Sequence, residues 1–523
     1  MMKRTLLACA VSAICSHTYA TPFMPMDARG LAMGSTGVAS AKMAHIPHYN
    51  PSLLSQKTSD AKFGIIFPQF GVNIADEDEM IDAADEIGDE VMPRFADVFD
   101  SSVAGNLPDA VDNLTDAADD LVTEIDKASA NDPTSDVAGA SEAFGNEIDN
   151  TRSSVDTLSS ASTDLNSALD AITGSPLRAR AGIASSIAFT GEKIQAALMA
   201  KADVNVSART LFSGNDQRMI SSYSEAASDY LGAASEANSS VAGISDTSTN
   251  DELAAAKTAL QNFSSFTSDE VQTANGNIRV FEDGKITNDA EDPKFDSTYE
   301  IAAIGIAEIG ASFAHEFVVD GRAFSVGVTP KLQSIKTYHY VGQMDEDDNG
   351  VEAEIEDSEL SYNHFNLDIG ASFYVDPKRN FLVGVVIKDL IGKDFETAEV
   401  LIDGNGFGAT AAGQTISLSP KIRAGVAYQS DWFNVAADLD ITKNEPTAYE
   451  KATQYASVGA EFDAAGWVQL RAGLRSNLVS ESNVVSLGAG VSPFGLHMDL
   501  ALMADIADPE KEVGVAFETG FYF

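Results

Sequence analysis

Two arginines near the C-terminus have the spacing of a pair that can hold an anion. Arg471 and Arg475 are four residues apart in a segment whose apolar and polar residues alternate. Alternate residues of a β-strand point to the same face, so both guanidinium groups are expected on one side of a strand. Such groups bind a carboxylate ligand through parallel hydrogen bonds. The alternative is pairing with acidic side chains of neighbouring strands, and both interpretations stay open.

One acidic loop matches a metal-binding pattern. Asp345, Asp347 and Asn349 alternate along the chain, a glycine follows, and Glu356 completes the spacing of a calcium loop. Oxygen ligands at positions one, three, five and twelve can surround one hard cation. The pattern therefore predicts calcium binding, although Glu352 stands where an apolar residue is usual and strands are expected on both sides. A solvated acidic loop is the alternative.

The remaining chemistry-bearing residues do not predict an enzyme. Both cysteines, Cys9 and Cys15, lie in the first 20 residues, so the rest of the chain has no thiol for a disulfide or a thiolate metal site. The histidines after residue 20 match neither a nucleophilic triad nor a zinc pattern. We therefore expect no catalytic residue and, apart from calcium, no cofactor.

The composition excludes further classes of protein. The chain has 523 residues, a formal net charge of −46 and 44% hydrophobic residues. A hydrophobic fraction of this size excludes general disorder. The negative charge argues against a nucleic-acid partner, because nucleic-acid binding needs clustered Lys and Arg.

Period-two alternation is the dominant pattern, and it predicts an all-β membrane barrel with about fourteen antiparallel transmembrane strands. In the last segment, one face carries Val513, Val515, Phe517, Thr519, Phe521 and Phe523. The predicted strands are 62–74, 178–190, 193–209, 298–317, 322–338, 360–376, 379–390, 416–430, 432–442, 452–463, 465–476, 484–493, 495–505 and 511–523. Short turns follow the even strands, and longer connections follow most odd ones, as in outer-membrane barrels. A soluble sandwich also alternates, but it has no reason to sort its loops in this way.

The alternation also predicts which charged residues point into the barrel. Besides the two arginines, the inner face is expected to carry Lys331, Lys388, Lys421, Arg423, Asp368, Asp438, Asp440, Asp499 and Glu518.

The chain divides into seven parts. Residues 1–20 have the basic start, apolar middle and small-residue end of a secretory signal peptide. We expect an N-terminal plug or hatch at 21–60, the first strand at 61–74, and barrel strands at 178–210 and 298–523. Two acidic α-helical insertions, 75–177 and 211–297, separate them. These features predict a protein exported to the outer membrane of a Gram-negative cell, in contact with its lipid.

The first insertion is strongly acidic and carries a helical pattern. It contains 26 acidic and 3 basic residues. Apolar residues alternate by four and three in two stretches, which predicts an antiparallel helical hairpin with a coiled-coil seam. Disorder is the alternative, because the segment is highly charged and poor in aromatic residues.

The N-terminal segment resembles that of a known superfamily. The run from Arg29 to Ala39, RGLAMGSTGVA, is followed by Asn50-Pro51-Ser52. This combination resembles the N-terminal segment of the FadL-type long-chain fatty acid transporters, and the 419–428 strand is similar to a later strand of theirs. Within that superfamily, the long helical insertion after the first strand is most similar to the barrel-type conjugal transfer protein TraF family. The resemblance covers 21–60 and the strands from 298 onward, but neither insertion.

The resemblance implies a barrel whose N-terminal segment folds inside as a plug. The residues that it assigns to the plug or to a ligand are Arg29, Gly30, Met33, Gly34, Gly37, Asn50 and Pro51, beside Arg471 and Arg475. A plug that only seals the pore is the alternative to one that takes part in ligand transport.

Two functions follow as expectations. In the first, the protein is a conjugal-transfer or surface-apparatus component whose extracellular helical insertion binds a protein partner. In the second, it is a passive transporter of a hydrophobic, fatty-acid-like small molecule. The size of the insertion favours the first function, whereas an apolar lumen near Met33, Val38 and Leu53 would favour the second.

Overall fold

The computed structural model describes residues 23–56, 61–191, 195–273, 276–291, 295–319, 322–343, 351–402, 409–444, 448–464, 466–480 and 482–523. The signal peptide predicted at 1–20 lies outside these residues. In the described part of the chain, no helix is long and apolar enough to cross a membrane.

Fourteen antiparallel strands close into one barrel, in which each strand pairs with its neighbours in the chain and β14 pairs with β1. The strands are β1 Phe63–Ala75, β2 Pro176–Thr190, β3 Gln195–Leu211, β4 Thr298–Val319, β5 Arg322–Gln343, β6 Leu360–Tyr374, β7 Phe381–Lys388, β8 Lys421–Gln429, β9 Phe433–Asp440, β10 Tyr455–Ala464, β11 Val468–Asn477, β12 Asn483–Val491, β13 Leu496–Asp505 and β14 Glu512–Tyr522. The predicted fold class is confirmed, and every predicted strand overlaps an observed one.

The outer face of the barrel has the composition of a surface in lipid. On β11, Leu470 and Leu474 are half exposed, whereas the alternate residues Arg471, Gly473 and Arg475 are buried in the lumen. Apolar side chains therefore point outward and polar ones inward, which is the pattern of a membrane barrel and the reverse of a soluble one.

Aromatic side chains form a rim at the end of the barrel where the turns are short. The exposed residues of this aromatic rim are Phe189, Phe317, Phe324, Phe373, Phe381, Tyr428, Trp432, Phe462, Trp467, Phe494, Phe521 and Phe523. Rings of this kind mark a membrane–water interface. From Trp467 to Leu478, both exposed, a strand tilted by about 45° rises about 25 Å, which matches the height of a lipid-facing band.

The two insertions form one helical bundle at the opposite end of the barrel. Two short helices of the N-terminal segment, α1 Ala28–Ala32 and α2 Ile46–Tyr49, come first in the chain. The helices of the bundle are α3 Met80–Glu86, α4 Met92–Asp97, α5 Leu107–Ser129 and α6 Val137–Ile172 in the first insertion, and α7 Gly214–Val241, α8 Asn250–Ser264 and α9 Asn288–Glu291 in the second. A five-residue π-helical turn, Ile87–Val91, joins α3 to α4. Helices α5, α6, α7 and α8 pack around a single apolar core.

The structure differs here from the expected hairpin, because α5 and α6 do not stand alone. Tyr230 on α7 stacks on Phe281 at a ring distance of 4.7 Å, and its hydroxyl lies 3.1 Å from that of Thr115 on α5. The small and polar seam of the hairpin buries too little apolar surface by itself, and the second insertion supplies the missing aromatic side chains.

The connections at the bundle end fold over the lumen. Two-stranded sheets occur there at Lys393–Glu396 with Thr415–Leu418 and at Val400–Leu401 with Thr410–Ala411, and α10 spans Val351–Asp357. The second insertion has two more, Glu270–Thr273 with Gly276–Arg279 and Phe281–Glu282 with Lys285–Ile286.

Two of these connections reach into the barrel. Phe395, Ile416 and Leu418 pack against the inward-facing Ile304 and Ile335. Between β9 and β10, the chain crosses the lumen, so that Glu450 forms a buried ion pair with Arg180 on β2, on the far side of the barrel. These contacts cover part of the lumen at the bundle end, and we call the described residues of the two connections, 389–402 with 409–420 and 441–444 with 448–454, the lid.

Candidate functional site

The N-terminal segment 23–56 lies inside the barrel and is the plug. It contains α1 Ala28–Ala32, the 3-10 turn Met43–His45, α2 Ile46–Tyr49 and the 3-10 turn Pro51–Ser55. Asp27 begins α1, because its carboxylate accepts the N–H of Gly30 at 2.6 Å. Nearly all of the segment is buried.

The plug glycines make room for a tyrosine of the plug itself. A Cβ atom at Gly30 or at Gly37 would overlap the ring or the hydroxyl of Tyr49. At Gly34 the backbone is left-handed, with φ +67°, and a Cβ would lie 2.6 Å from a carbonyl oxygen of β11. These positions therefore require glycine for close packing.

The barrel wall is equally tight. A row of inward-facing glycines on seven strands lies against the plug, so that a Cβ at any of them would overlap a plug atom or come within 3.0 Å of one: Gly327, Gly370, Gly384, Gly425, Gly459, Gly473 and Gly488. Glycines on both surfaces bring the two backbones into direct contact.

The carboxylate of Glu461 on β10 binds three cationic side chains. It accepts hydrogen bonds from Arg29 Nε at 2.9 Å, from Arg471 Nε at 2.8 Å and from Lys42 Nζ at 2.5 Å. Arg471 also pairs with Asp499. The predicted plug residue Arg29 and the predicted lumen residue Arg471 are thus brought together by a carboxylate that neither prediction included.

The other predicted arginine also binds the wall. Arg475 donates to Glu512 at 2.5 Å, and its guanidinium lies 4.8 Å from the ring centre of Tyr455. Both arginines are therefore engaged by carboxylates of the barrel, as the pairing interpretation expects.

Asn50 and Pro51 connect two parts of the plug and pack against the barrel wall. The Asn50 side chain accepts the N–H of Ser52 at 3.1 Å and donates to Val38 O at 2.9 Å. Pro51 lies against Gly327. The N–H groups of Gly37 and Val38 both donate to Asp438 on β9, at 2.8 and 3.0 Å. Met33, Val38 and Leu53 belong to the packed core between plug and wall.

A small cavity lies between the plug and the lid. The volume of this cavity is about 80 Å³. Its apolar side includes Phe23, Met26 and Leu418, and its polar side includes Lys331 and Glu308. Met33, Val38 and Leu53 do not line it, so the described cavity is not the apolar lumen that the transport hypothesis expected.

The lysines at this cavity are neutralised by buried acids. Lys331 Nζ lies 2.7 Å from Asp389, 3.0 Å from Asp368 and 3.2 Å from Glu308. Lys388 pairs with Asp368 at 3.0 Å and donates to the carbonyl of His48 at 3.1 Å. Burial and the nearby Lys388 lower the pKa of His48 to about 3, so this imidazole is neutral.

The predicted inward charges all lie in the lumen. Buried there are Lys331, Lys388, Lys421, Arg423, Asp368, Asp438, Asp440, Asp499 and Glu518. Sequence reasoning missed Glu461, Glu308, Arg178, Arg180, Glu450 and Asp27, the one acidic residue of the plug. Alternation on β10, β4 and β2 marks the first four, but Glu450 lies in a connection that has no periodic signal.

The calcium hypothesis stays a prediction. Asp345, Asp347 and Asn349 lie outside the described residues, and Glu356 lies exposed on α10.

A closed fourteen-strand barrel with an inner plug, an apolar outer band and an aromatic rim defines an outer-membrane β-barrel protein. The family described as "F plasmid transfer operon, TraF, protein" matches residues 47–105 and 94–440, and the chain belongs to this family. The expected membership is thereby confirmed.

Solved structures of transport channels are similar to the chain. The toluene transporter TbuX of Ralstonia pickettii has 9% identity and a TM-score of 0.42, over 96% of this chain and 99% of that one. The Pseudomonas putida toluene transporter TodX has 10% identity and a TM-score of 0.38, over 97% and 98%. No curated protein sequence matches the chain.

Proposed function

We propose that this protein is an outer-membrane component of a conjugal-transfer or surface apparatus, in which the barrel is a closed anchor and the helical bundle binds a partner protein. The description of the matched family supports the apparatus. The bundle then lies outside the cell, because short turns of such barrels face the periplasm.

The packing inside the barrel carries the proposal. Plug atoms lie against glycines of seven wall strands, and the lid crosses the lumen through the Arg180–Glu450 pair. The described cavity between plug and lid is about 80 Å³, whereas pockets for organic ligands usually measure about 300–1,000 Å³. A barrel in this state anchors the bundle and conducts little.

The charge of the bundle indicates what kind of partner it binds. Along α5, Asp112, Asp116 and Asp119 form one exposed acidic stripe. A partner with a basic surface would be attracted to this stripe and oriented by it.

Conjugative transfer frequency tests the proposal in cells that carry the full chain. Replacing the three aspartates of the stripe by Lys is expected to lower transfer at least tenfold at unchanged outer-membrane level, because repulsion replaces attraction. The matched control is Asp431→Lys, which reverses an exposed charge in a short turn at the other end of the barrel. Full transfer by the stripe variant, or equal loss in the control, would reject partner binding by the bundle.

Passage of a hydrophobic molecule is the second candidate function. The observation that favours it is the apolar lining of the cavity by Phe23, Met26 and Leu418. Mass spectrometry of small molecules that co-purify from outer membranes tests it, with an unrelated barrel as control. A stoichiometric hydrophobic species absent from the control would support transport, and bulk lipid alone would count against it.

A further inference from the structure

Three metal-ligating side chains meet where the plug touches the last strand. Asp27 precedes α1, His45 ends the first 3-10 turn and Glu518 lies on β14; one ligand atom of each lies within 4.8 Å of the others. His45 Nε2 is 2.8 Å from Glu518 Oε1 and 3.9 Å from Asp27 Oδ1. All three side chains are buried.

His45 is the one basic side chain among the described residues that pairs with both carboxylates of this cluster. Glu461 has three cationic partners, but in the described part of the chain no Lys or Arg forms an ion pair with Asp27 or with Glu518. With both carboxylates ionised, even a protonated His45 leaves one uncompensated negative charge, and buried charges need compensation. A divalent cation beside a neutral imidazole would make the cluster neutral.

The imidazole is oriented as a ligand. Its Nδ1 lies 3.2 Å from the carbonyl oxygen of Lys42 and 3.5 Å from the hydroxyl of Tyr522. The tautomer with its proton on Nδ1 donates to that carbonyl and turns the Nε2 lone pair toward the two carboxylates. Metal-bound histidines are held by the same kind of bond to their other nitrogen.

The carboxylates are oriented as well. Glu518 Oε2 accepts the N–H of Ala28 at 3.2 Å, so its Oε1 faces His45. Asp27 Oδ2 accepts the hydroxyl of Tyr49, and its Oδ1 accepts the N–H of Gly30. These hydrogen bonds set the orientation of both carboxylates, so that Glu518 Oε1 and Asp27 Oδ1 are the oxygens nearest to Nε2.

We propose that Asp27, His45 and Glu518 bind one divalent transition-metal ion that joins the plug to the last strand. One nitrogen and two oxygen ligands suit Zn²⁺, Mn²⁺ or Fe²⁺ better than Mg²⁺ or Ca²⁺, which prefer oxygen alone. Bonds of about 2.0–2.1 Å put ligand atoms about 3.3 Å apart, so the 2.8 Å pair opens slightly and the 3.9 Å pair closes. The site fastens the N-terminal plug to the C-terminal strand, whether or not the bundle binds a partner.

Cobalt titration of the purified full-length protein in detergent tests the site. After chelation and dialysis, the wild type is expected to take up one Co²⁺ per chain, with visible absorption of low-coordinate cobalt. His45→Gln and Glu518→Gln are each expected to weaken binding at least tenfold. The matched control is His48→Gln, a buried plug histidine outside the cluster whose Nε2 has no hydrogen-bond partner among the described residues; it is expected to bind as the wild type does.

Two outcomes would overturn the proposal. One is a folded wild type without stoichiometric binding, and the other is equal binding in all four proteins, which would place the ion elsewhere. If the two ligand variants do not fold, Cu²⁺-loaded wild type decides by pulsed EPR. Modulation from the remote nitrogen of one imidazole supports the site, and its absence rejects it.

Discussion

Replacing Glu461 by Gln tests whether buried ion pairs hold the plug in place. The substitution keeps the shape of the side chain and removes the charge that Arg29, Lys42 and Arg471 share. Arg471 keeps Asp499 as a partner, and the Lys42 side chain is 41% exposed. Arg29 is 4% exposed and has no other ion-pair partner among the described residues, so its isolation dominates the cost.

The magnitude follows from that isolation. Removing one partner of a buried ion pair costs about 3–5 kcal/mol. Because Gln keeps one acceptor oxygen, we expect about 3 kcal/mol, which is roughly a hundredfold in the equilibrium constant. Urea unfolding of the full-length protein in lipid vesicles measures it, with protease cleavage of the plug as a second readout.

Two comparisons make the result decisive. Glu316→Gln removes an ion pair with Arg379, whose side chain is 39% exposed, and is expected to cost about 0–1 kcal/mol. The double variant Arg29→Gln/Glu461→Gln is expected to cost less than the sum of the single ones, since it leaves no isolated charge on Arg29. Equal stability of the Glu461 and Glu316 variants, with an intact plug, would refute the reasoning.

Further predictions concern packing, the bundle and the membrane position. Gly473→Ala puts a Cβ onto the backbone of the plug and is expected to cost about 1–3 kcal/mol in urea unfolding. Gly305→Ala, whose Cβ would lie 3.9 Å from its nearest neighbour, is the control and should cost less. Tyr230→Ala is expected to cost about 3–5 kcal/mol by thermal loss of helical circular dichroism, and Tyr230→Phe about 1 kcal/mol; equal values would contradict the packing argument. Fluorescence of Trp432 and Trp467, the only tryptophans, should be quenched more by bromine near the lipid headgroups than by bromine near the bilayer centre.

Much of the fold was predictable because its signal is local. A strand in lipid alternates residue by residue, so the fourteen strands and the inward direction of residues such as Arg471 follow from neighbours along the chain. The ends of strands were less predictable. Strand β5 continues to Gln343, beyond its predicted end at 338, because this extension pairs with β4 and contacts the lid, where His339 Nδ1 lies 3.0 Å from the carbonyl oxygen of Ala398.

The candidate site was predictable only in part. Arg29 and Arg471 could be recognised as plug and lumen residues, but not as partners of one carboxylate. Arg29 and Glu461 are 432 residues apart, and no spacing relates them. The glycines of the plug stood out in the sequence, whereas the matching row of wall glycines has meaning only when seven strands lie side by side.

The sequence by itself determined the barrel, its inward charges and the helical character of the insertions, since each depends on periodicity within one segment. Tertiary structure alone decided that the two insertions share one core, that Glu450 crosses to Arg180, and that Asp27 and His45 meet Glu518. The physical reason is closure. Strands 1 and 14 pair only when the whole sheet has curled, and the contacts inside exist only after the plug is enclosed.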